Sequence, residues 1–350
     1  MGRSGFHRKT AYATVTMVLA AEAADIDVVW GFKGSIEALQ HHRGITHSFV
    51  GVPFMAGAVL GLVYLWHRFH LARGKPSSKW KLPVRWGLLY FCALLAALSH
   101  LLLDYTTAYG IRLFEPFDYR WYSWDIVSII EPLLLLALLA ALLLPGLFSL
   151  VSHEIGERRQ LPRGRVAAIA ALTFMVLLWG YRDYEHRRAL AAMDSFLYRG
   201  AEPLRVAAYP YMINPFSWHG VVETRDFFES VPVDSRKAQV DNEQGIAYYK
   251  PPITDVLQAA KRSYFGQVYL DWAVFPYARQ EKVAGESEAF LVDFVDIRYA
   301  YPSQRGSTLG GFVLVGPELR VLAEGMSRAK PAALEQLNHA LETERTPKSP

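Results

Sequence analysis

His41-His42-Arg43-Gly44-Ile45-Thr46-His47-Ser48 runs straight into an uncharged apolar stretch over residues 48–66. That stretch is long enough to cross a bilayer as a helix, which takes about 20 residues. The octapeptide therefore sits where hydrocarbon meets polar chain, and nothing in an apolar run asks for three imidazoles there. A second junction closes the apolar run over residues 86–103: Ser99-His100-Leu101-Leu102-Leu103-Asp104. His100 and Asp104 are four apart, so on a helix they share one face. Gly44 breaks any helix between His42 and His47 and lets the two rings converge from a turn. A third junction, Asp25-Ile26-Asp27, ends the apolar segment over residues 10–24.

Outward from these junctions the chain divides into unlike halves. Apolar runs over residues 10–24, 48–66, 86–103, 126–150 and 166–181 predict an α-helical polytopic membrane domain of about five spans within residues 1–190. Glu131 and Pro132 fall in the first turns of the fourth run, and Trp179-Gly180-Tyr181 at the end of the fifth fits an interfacial belt. Beyond residue 200 the pattern turns to period two. Residues 218–224, 264–275, 290–301 and 311–322 read as strands, and residues 251–262 and 329–341 as helices. The expectation is an α+β extramembrane domain with an antiparallel sheet over residues 191–342, then a flexible tail over 343–350.

Charge supplies orientation. The 350 residues carry a net charge of +4, spread over the loops between apolar runs, which argues for membrane orientation and against a nucleic-acid partner. Arg68, Arg73, Lys75, Lys79, Lys81 and Arg85 fill the loop between the second and third runs. Arg158, Arg159, Arg163 and Arg165 fill that between the fourth and fifth. The alternate loops hold only Lys33 with Arg43, and Arg112 with Arg120. By the positive-inside rule the basic loops and the N-terminus face the cytoplasm. Arg182, Arg187 and Arg188 oppose that order and are outweighed. The reading is a multi-pass cytoplasmic (inner) membrane protein with its C-terminal domain outside. The first run is interrupted by Glu22 and leads into Asp25, so no cleavable signal peptide is read. A single cysteine, Cys92, excludes both a disulfide framework and a thiolate metal site.

This orientation puts Asp25, Asp27, His42, His47, His100 and Asp104 on one side of the membrane. Neutral imidazoles and carboxylates at one depth form a mixed N/O set suited to a divalent metal ion, zinc or manganese. His42, His47 and His100 are expected as ligands together with Asp25 or Asp27, with Asp104 as a ligand or as a residue behind one. Asp25 and Asp27 share a side only if the chain runs extended after Ala24. Asp27 and Asp104 are the expected catalytic carboxylates, with Asp25 or Asp27 as ligand or general base. Beside these stand plainer readings: a solvated helix end for the Asp pair, an imidazole satisfied by Asp104 for His100, and a capping turn around Thr46 and Ser48 for the His cluster. Glu131 reads either as an orienter for a histidine or as an interfacial carboxylate. A nucleophile elbow, a phosphate-binding loop and a His-Glu-x-x-His helix are absent from the sequence.

Asp25-Ile26-Asp27, His42-Arg43-Gly44-Ile45-Thr46-His47-Ser48 and Ser99-His100-Leu101-Leu102-Leu103-Asp104, in that order, resemble the YdjM family of inner-membrane-associated proteins described as metal-dependent hydrolases. Gly110, Trp124-Asp125 and Glu131-Pro132 fit the same pattern, and the resemblance covers about residues 1–150. The segment around Asn214-Pro215-Phe216 looks like the extension that longer members carry. The family opens with a Met-Asp-Pro-x-Thr-His-like helix that Met1 and His7 do not match, so the reading frame is expected to extend upstream. The resemblance implies a membrane-embedded hydrolase. Location at the outer membrane–water interface makes membrane lipid a partner and a lipid or lipid-linked (phospho)ester, or another small molecule, the substrate class. The alternative is a non-catalytic scaffold or sensor whose outer domain binds a partner.

Overall fold

The apolar runs coil into α-helices, because a helix satisfies its own backbone hydrogen bonds wherever water is scarce. The computed structural model describes residues 2–73, 82–154, 164–283, 288–302 and 309–327. Its helices in the first half are α1 (Ala13–Glu22), α2 (Ser35–His41), α3 (Gly51–Ala72), α4 (Trp86–Tyr105), α5 (Pro132–Glu154) and α6 (Arg165–Asp194). Among the described residues three of these, α3, α4 and α6, are long and apolar enough to cross a membrane, α1 is a shorter apolar helix, and α5 is apolar over Pro132–Phe148. Leu62, Leu65, Leu136 and Leu177 on these helices are exposed, as a lipid-facing surface requires.

Two local readings change. The fourth run starts its helix at Pro132, later than its hydropathy suggests. Proline has no N–H to lose at the first helical position, and it disfavours helical geometry in the residue before it. Ile126 and Val127 therefore stay outside the helix, buried against Trp179, with their N–H groups on the Thr106 carbonyl. Asp25 and Asp27, which would share a side only on extended chain, lie in a 3-10 helix, Ala24–Phe32.

The described residues fall into two compact units. One is drawn from Met1–Val28, His41–Glu185 and Pro210–Pro215, the other from Val29–Gln40, His186–Tyr209 and Phe216–Pro350. In the first, α1, α3 and α4 meet through Met17, Ala20, Ala56, Val59, Cys92, Ala93 and Ala96. Side chains this small let the backbones approach closely. Val52 at the start of α3 packs with Ala97 and Leu101 near the end of α4, and Val63 packs with Leu89 at their other ends. The two helices thus run antiparallel, which sets the residues before α3 beside the last turns of α4. Gly51 is required at that join, since a Cβ there would overlap the Ile45 carbonyl oxygen.

The second unit holds two antiparallel sheets. Strands β1 (Arg205–Pro210), β2 (Ser217–Glu223), β3 (Phe227–Asp234) and β4 (Gln239–Val240) follow one another across the first, and β5 (Ile246–Tyr249) also pairs with β3. Strands β6 (Pro276–Lys282), β7 (Phe290–Asp296), β8 (Gly310–Val315) and β9 (Val321–Met326) form the second. Trp218 is fully buried among Met193, Tyr198 and Val231 in the core of the first sheet. Helix α7 covers Asp255–Arg262, and α8, Tyr264–Trp272, replaces most of the strand expected over residues 264–275. Ser263 caps α8 by accepting the Gly266 N–H at 3.1 Å. Phe265, Val268, Tyr269 and Trp272 are then buried at spacings of three and four, one face of a helix. The helix expected over residues 329–341 and the tail over 343–350 lie outside the described residues.

Candidate metal centre

His47 closes a 3-10 turn, Ile45–His47, just before α3, and its side chain is fully buried. Ser48 fixes that turn by accepting the Gly51 N–H at 2.9 Å while donating to the Ile45 carbonyl at 2.8 Å. His100 and Asp104 stand on one face of α4, and Asp25 arrives from the 3-10 helix after α1. One donor atom from each of these four residues lies within 4.8 Å of all the others. The two imidazole Nε2 atoms are 3.2 Å apart. Each is 3.3 Å from Asp104 Oδ2 and 3.4 Å from Asp25 Oδ1.

These separations match a known figure. Ligand bonds of about 2.0–2.1 Å in a tetrahedral site put neighbouring donors about 3.3–3.4 Å apart. Asp104 Oδ2 is buried and, among the described residues, faces only the two imidazole Nε2 atoms, each at 3.3 Å and neither in good hydrogen-bond geometry. A buried carboxylate oxygen and two ring nitrogens this close need a proton or a cation between them, and one cation serves all three. The donor set and its spacing therefore fit a divalent metal ion. Asp25 keeps 48% of its side chain exposed, which leaves the group reachable from that side.

Of the sequence-read ligands, Asp25, His47, His100 and Asp104 come together; Asp27 and His42 do not join them. The reason is local geometry. Residues two apart in a helical turn diverge, so Asp25 and Asp27 take opposite sides of the His47 ring. Asp27 Oδ2 lies 3.3 Å from His47 Nδ1 and accepts the Arg43 N–H at 2.7 Å. Asp27 Oδ1 lies 3.3 Å from His42 Nδ1. His47 is thus held from behind while its Nε2 points into the group, the arrangement in which a carboxylate orients a metal-ligating histidine. Burial alone would raise the Asp27 pKa, but its contacts with His42, His47 and the Arg43 N–H hold its carboxyl well below the usual carboxylate range. Burial would likewise lower the His47 pKa, yet the carboxylates of Asp104 and Asp27 raise it to about 9. A metal ion binding at Nε2 has to displace that proton.

Arg43 escaped the sequence reading. Its Nη2 donates to Asp104 Oδ1 at 2.8 Å and its Nη1 to Thr107 Oγ1 at 3.2 Å. The signal is there in part: Arg43 stands between His42 and His47 in the quoted motif and is one of two cations in its loop. Glu131 pairs with an arginine and not with a histidine of the group. It is buried and paired with fully buried Arg182 at 2.8 Å. His41 stands outside the four-residue group.

Comparison with known proteins bears on this geometry. A family model described as "YdjM inner membrane protein" matches residues 2–189, more than half of the chain and inclusive of every residue named in this group. "Uncharacterized protein YfhP" of Bacillus subtilis (strain 168) is 24% identical over 302 residues, which cover 83% of this chain and 78% of that protein. No solved structure matches the chain.

Proposed function

This chain belongs to the YdjM family of inner membrane proteins, and we propose that it is a metal-dependent hydrolase working at the outer membrane–water interface on a lipid or lipid-linked (phospho)ester. The observation that carries the reading is the buried Asp104 Oδ2 facing two imidazole nitrogens at 3.3 Å. His47, His100, Asp104 and Asp25 hold the ion, and an N₂O₂ set of this kind suits zinc or manganese. Such an ion supplies Lewis acidity towards a phosphoryl or acyl oxygen and towards water. Asp27 fixes the His47 ring so that Nε2 stays aimed at the ion, with His42 against its other oxygen. Asp25, half exposed, is the carboxylate nearest to incoming substrate.

Location supports the lipid class. His47 immediately precedes α3 and Asp104 is in the last turn of α4, so the group lies at one end of two helices long enough to span. At the same end the tilted rings of Phe49 and Phe114 lie 5.6 Å apart and are half exposed, and Phe54 and Phe117 are largely exposed. Aromatic rings gathered there suit the headgroup layer of a bilayer. Burial of Arg182 against Glu131 also removes one of the three arginines that oppose the orientation read from loop charge.

The test is metal content. Protein purified in lipid nanodiscs and dialysed against zinc or manganese should retain one equivalent, and His47→Ala and His100→Ala should each strip it. A wild type that holds none after reconstitution defeats the proposal. A panel of phosphoester and carboxylic ester lipids then assigns the reaction. Stoichiometric metal with no turnover on any of them moves the protein to the scaffold or sensor reading.

A further inference from the structure

Arg43 is bonded to two carboxylates at once, one through its side chain and one through its backbone. It sits at φ 54°, a left-handed conformation that turns the chain between His42 and Gly44. Its side chain is only 12% exposed despite the charge. One arm of the guanidinium donates to Asp104 Oδ1 at 2.8 Å and another to Thr107 Oγ1 at 3.2 Å. Thr107 Oγ1 in turn donates to the Asp104 backbone carbonyl at 2.8 Å, which closes the contacts into a ring. The Tyr109 ring lies 5.0 Å from Cζ and supports the guanidinium. Meanwhile the Arg43 N–H donates to Asp27 Oδ2 at 2.7 Å.

The consequence for Asp104 is an asymmetric carboxylate. Oδ1 is taken by Arg43, and Oδ2 is left without a hydrogen bond, facing His47 and His100. We infer that Arg43 is a positioning residue for the metal: it fixes Asp104 as a one-oxygen ligand through Oδ2 and keeps Oδ1 out of the coordination shell. This inference rests on the metal reading above and adds to it a residue that touches neither metal nor substrate.

Two physical effects of Arg43 have opposite signs, which makes the inference testable. As a point charge, a guanidinium bonded to a ligand carboxylate repels a divalent cation, so removing it would tighten binding. As a positioning group it holds the ligand in place, and losing such a residue weakens metal affinity by about 10- to 100-fold. Arg43→Gln removes the charge and the fork. Arg43→Lys keeps the charge, but its point-like ammonium lacks the planar fork that reaches Asp104 and Thr107 together. In both variants the backbone N–H to Asp27 remains, so only the side-chain contacts with Asp104, Thr107 and Tyr109 change.

The experiment measures zinc affinity by competition with a chelator, and the visible spectrum of the cobalt-substituted protein, in nanodiscs. Wild type should give the intense bands of four-coordinate cobalt. Arg43→Gln and Arg43→Lys should each bind zinc about 10- to 100-fold more weakly and give weaker cobalt bands, as Asp104 swings to present both oxygens. Thr107→Val should shift both readouts the same way by less. It leaves Arg43 in place, so it carries the test if the arginine variants do not fold. Unchanged or tighter zinc binding in Arg43→Gln with a wild-type cobalt spectrum overturns the inference and leaves the metal reading intact. The same result in Thr107→Val overturns it when Arg43→Gln does not fold. A wild type without stoichiometric metal overturns both.

Discussion

His47 is held at both ring nitrogens, and the two contacts ask different things of it. Nε2 faces His100, Asp104 and Asp25, while Nδ1 faces Asp27 Oδ2 at 3.3 Å and Thr46 Oγ1 at 3.1 Å. For Nε2 to donate a lone pair to a metal, the remaining proton must sit on Nδ1, and Asp27 is the acceptor placed to keep it there. Asp27→Asn should therefore weaken metal affinity by about 10- to 100-fold while leaving one equivalent bound at saturating metal. Isothermal titration separates this from His47→Ala, which should abolish the site. If Asp27→Asn loses the stoichiometric ion outright, Asp27 is a ligand. The residue types of this candidate centre are legible in the sequence because histidine and carboxylate at the edge of an apolar run are costly without a partner. What was not legible was the division of labour. Asp25 and Asp27 differ only in which side of an imidazole they reach, and that depends on a 3-10 turn that period and hydropathy do not distinguish from extended chain.

At the scale of elements, β2 carries a buried imidazole of a different kind. His219 is fully buried, its Nε2 donates to the Ile297 carbonyl at 3.0 Å, and its ring stacks on Tyr301 at 4.2 Å. Burial pushes its pKa down to about 4, against the smaller opposing pull of the Ile297 carbonyl and Asp296. The unfolded chain takes up this proton near pH 6.5, whereas the folded one resists until about pH 4. The contribution is complete above pH 6.5 and is lost as the pH falls towards 4, a swing of about 3 kcal/mol. The stability difference between wild type and His219→Gln, followed by thermal unfolding at pH 7 and at pH 4, should shrink by that amount. A difference that does not move with pH sinks the assignment. Element identity itself was partly readable. Strand β2 and helix α7 follow their sequence patterns closely. The aromatic content of residues 264–272 favours a strand on propensity alone, and Ser263 as a cap plus burial on one helical face decides otherwise. Pro132 is legible as well: it starts α5 and keeps Glu131, the residue before it, out of the helix.

At the scale of the whole chain, the question is how many times it crosses the bilayer between the basic loop after α3 and the sheet unit. Helices α4 and α6 are long enough. Helix α5 has 23 residues, a rise of about 35 Å against a hydrocarbon core of about 30 Å. Leaving α5 out of the bilayer would place the arginines at 158, 159 and 163 on the side opposite the other basic loop, against the positive-inside rule. Three crossings are therefore expected between Lys81 and Asn242, an odd number. Fusions of a reporter active only in the cytoplasm, one after Lys81 and one after Asn242, should give opposite signals, with the Lys81 fusion active. If α5 does not cross, the count is two and both fusions report the same compartment. That outcome would withdraw the outward placement of the sheet unit while leaving the metal centre untouched. The expected side of the candidate centre depends on α3 alone, because His47 precedes that helix and the basic loop follows it. An inactive Lys81 fusion would reverse that helix and put the four ligands, and any lipid substrate, in the inner leaflet.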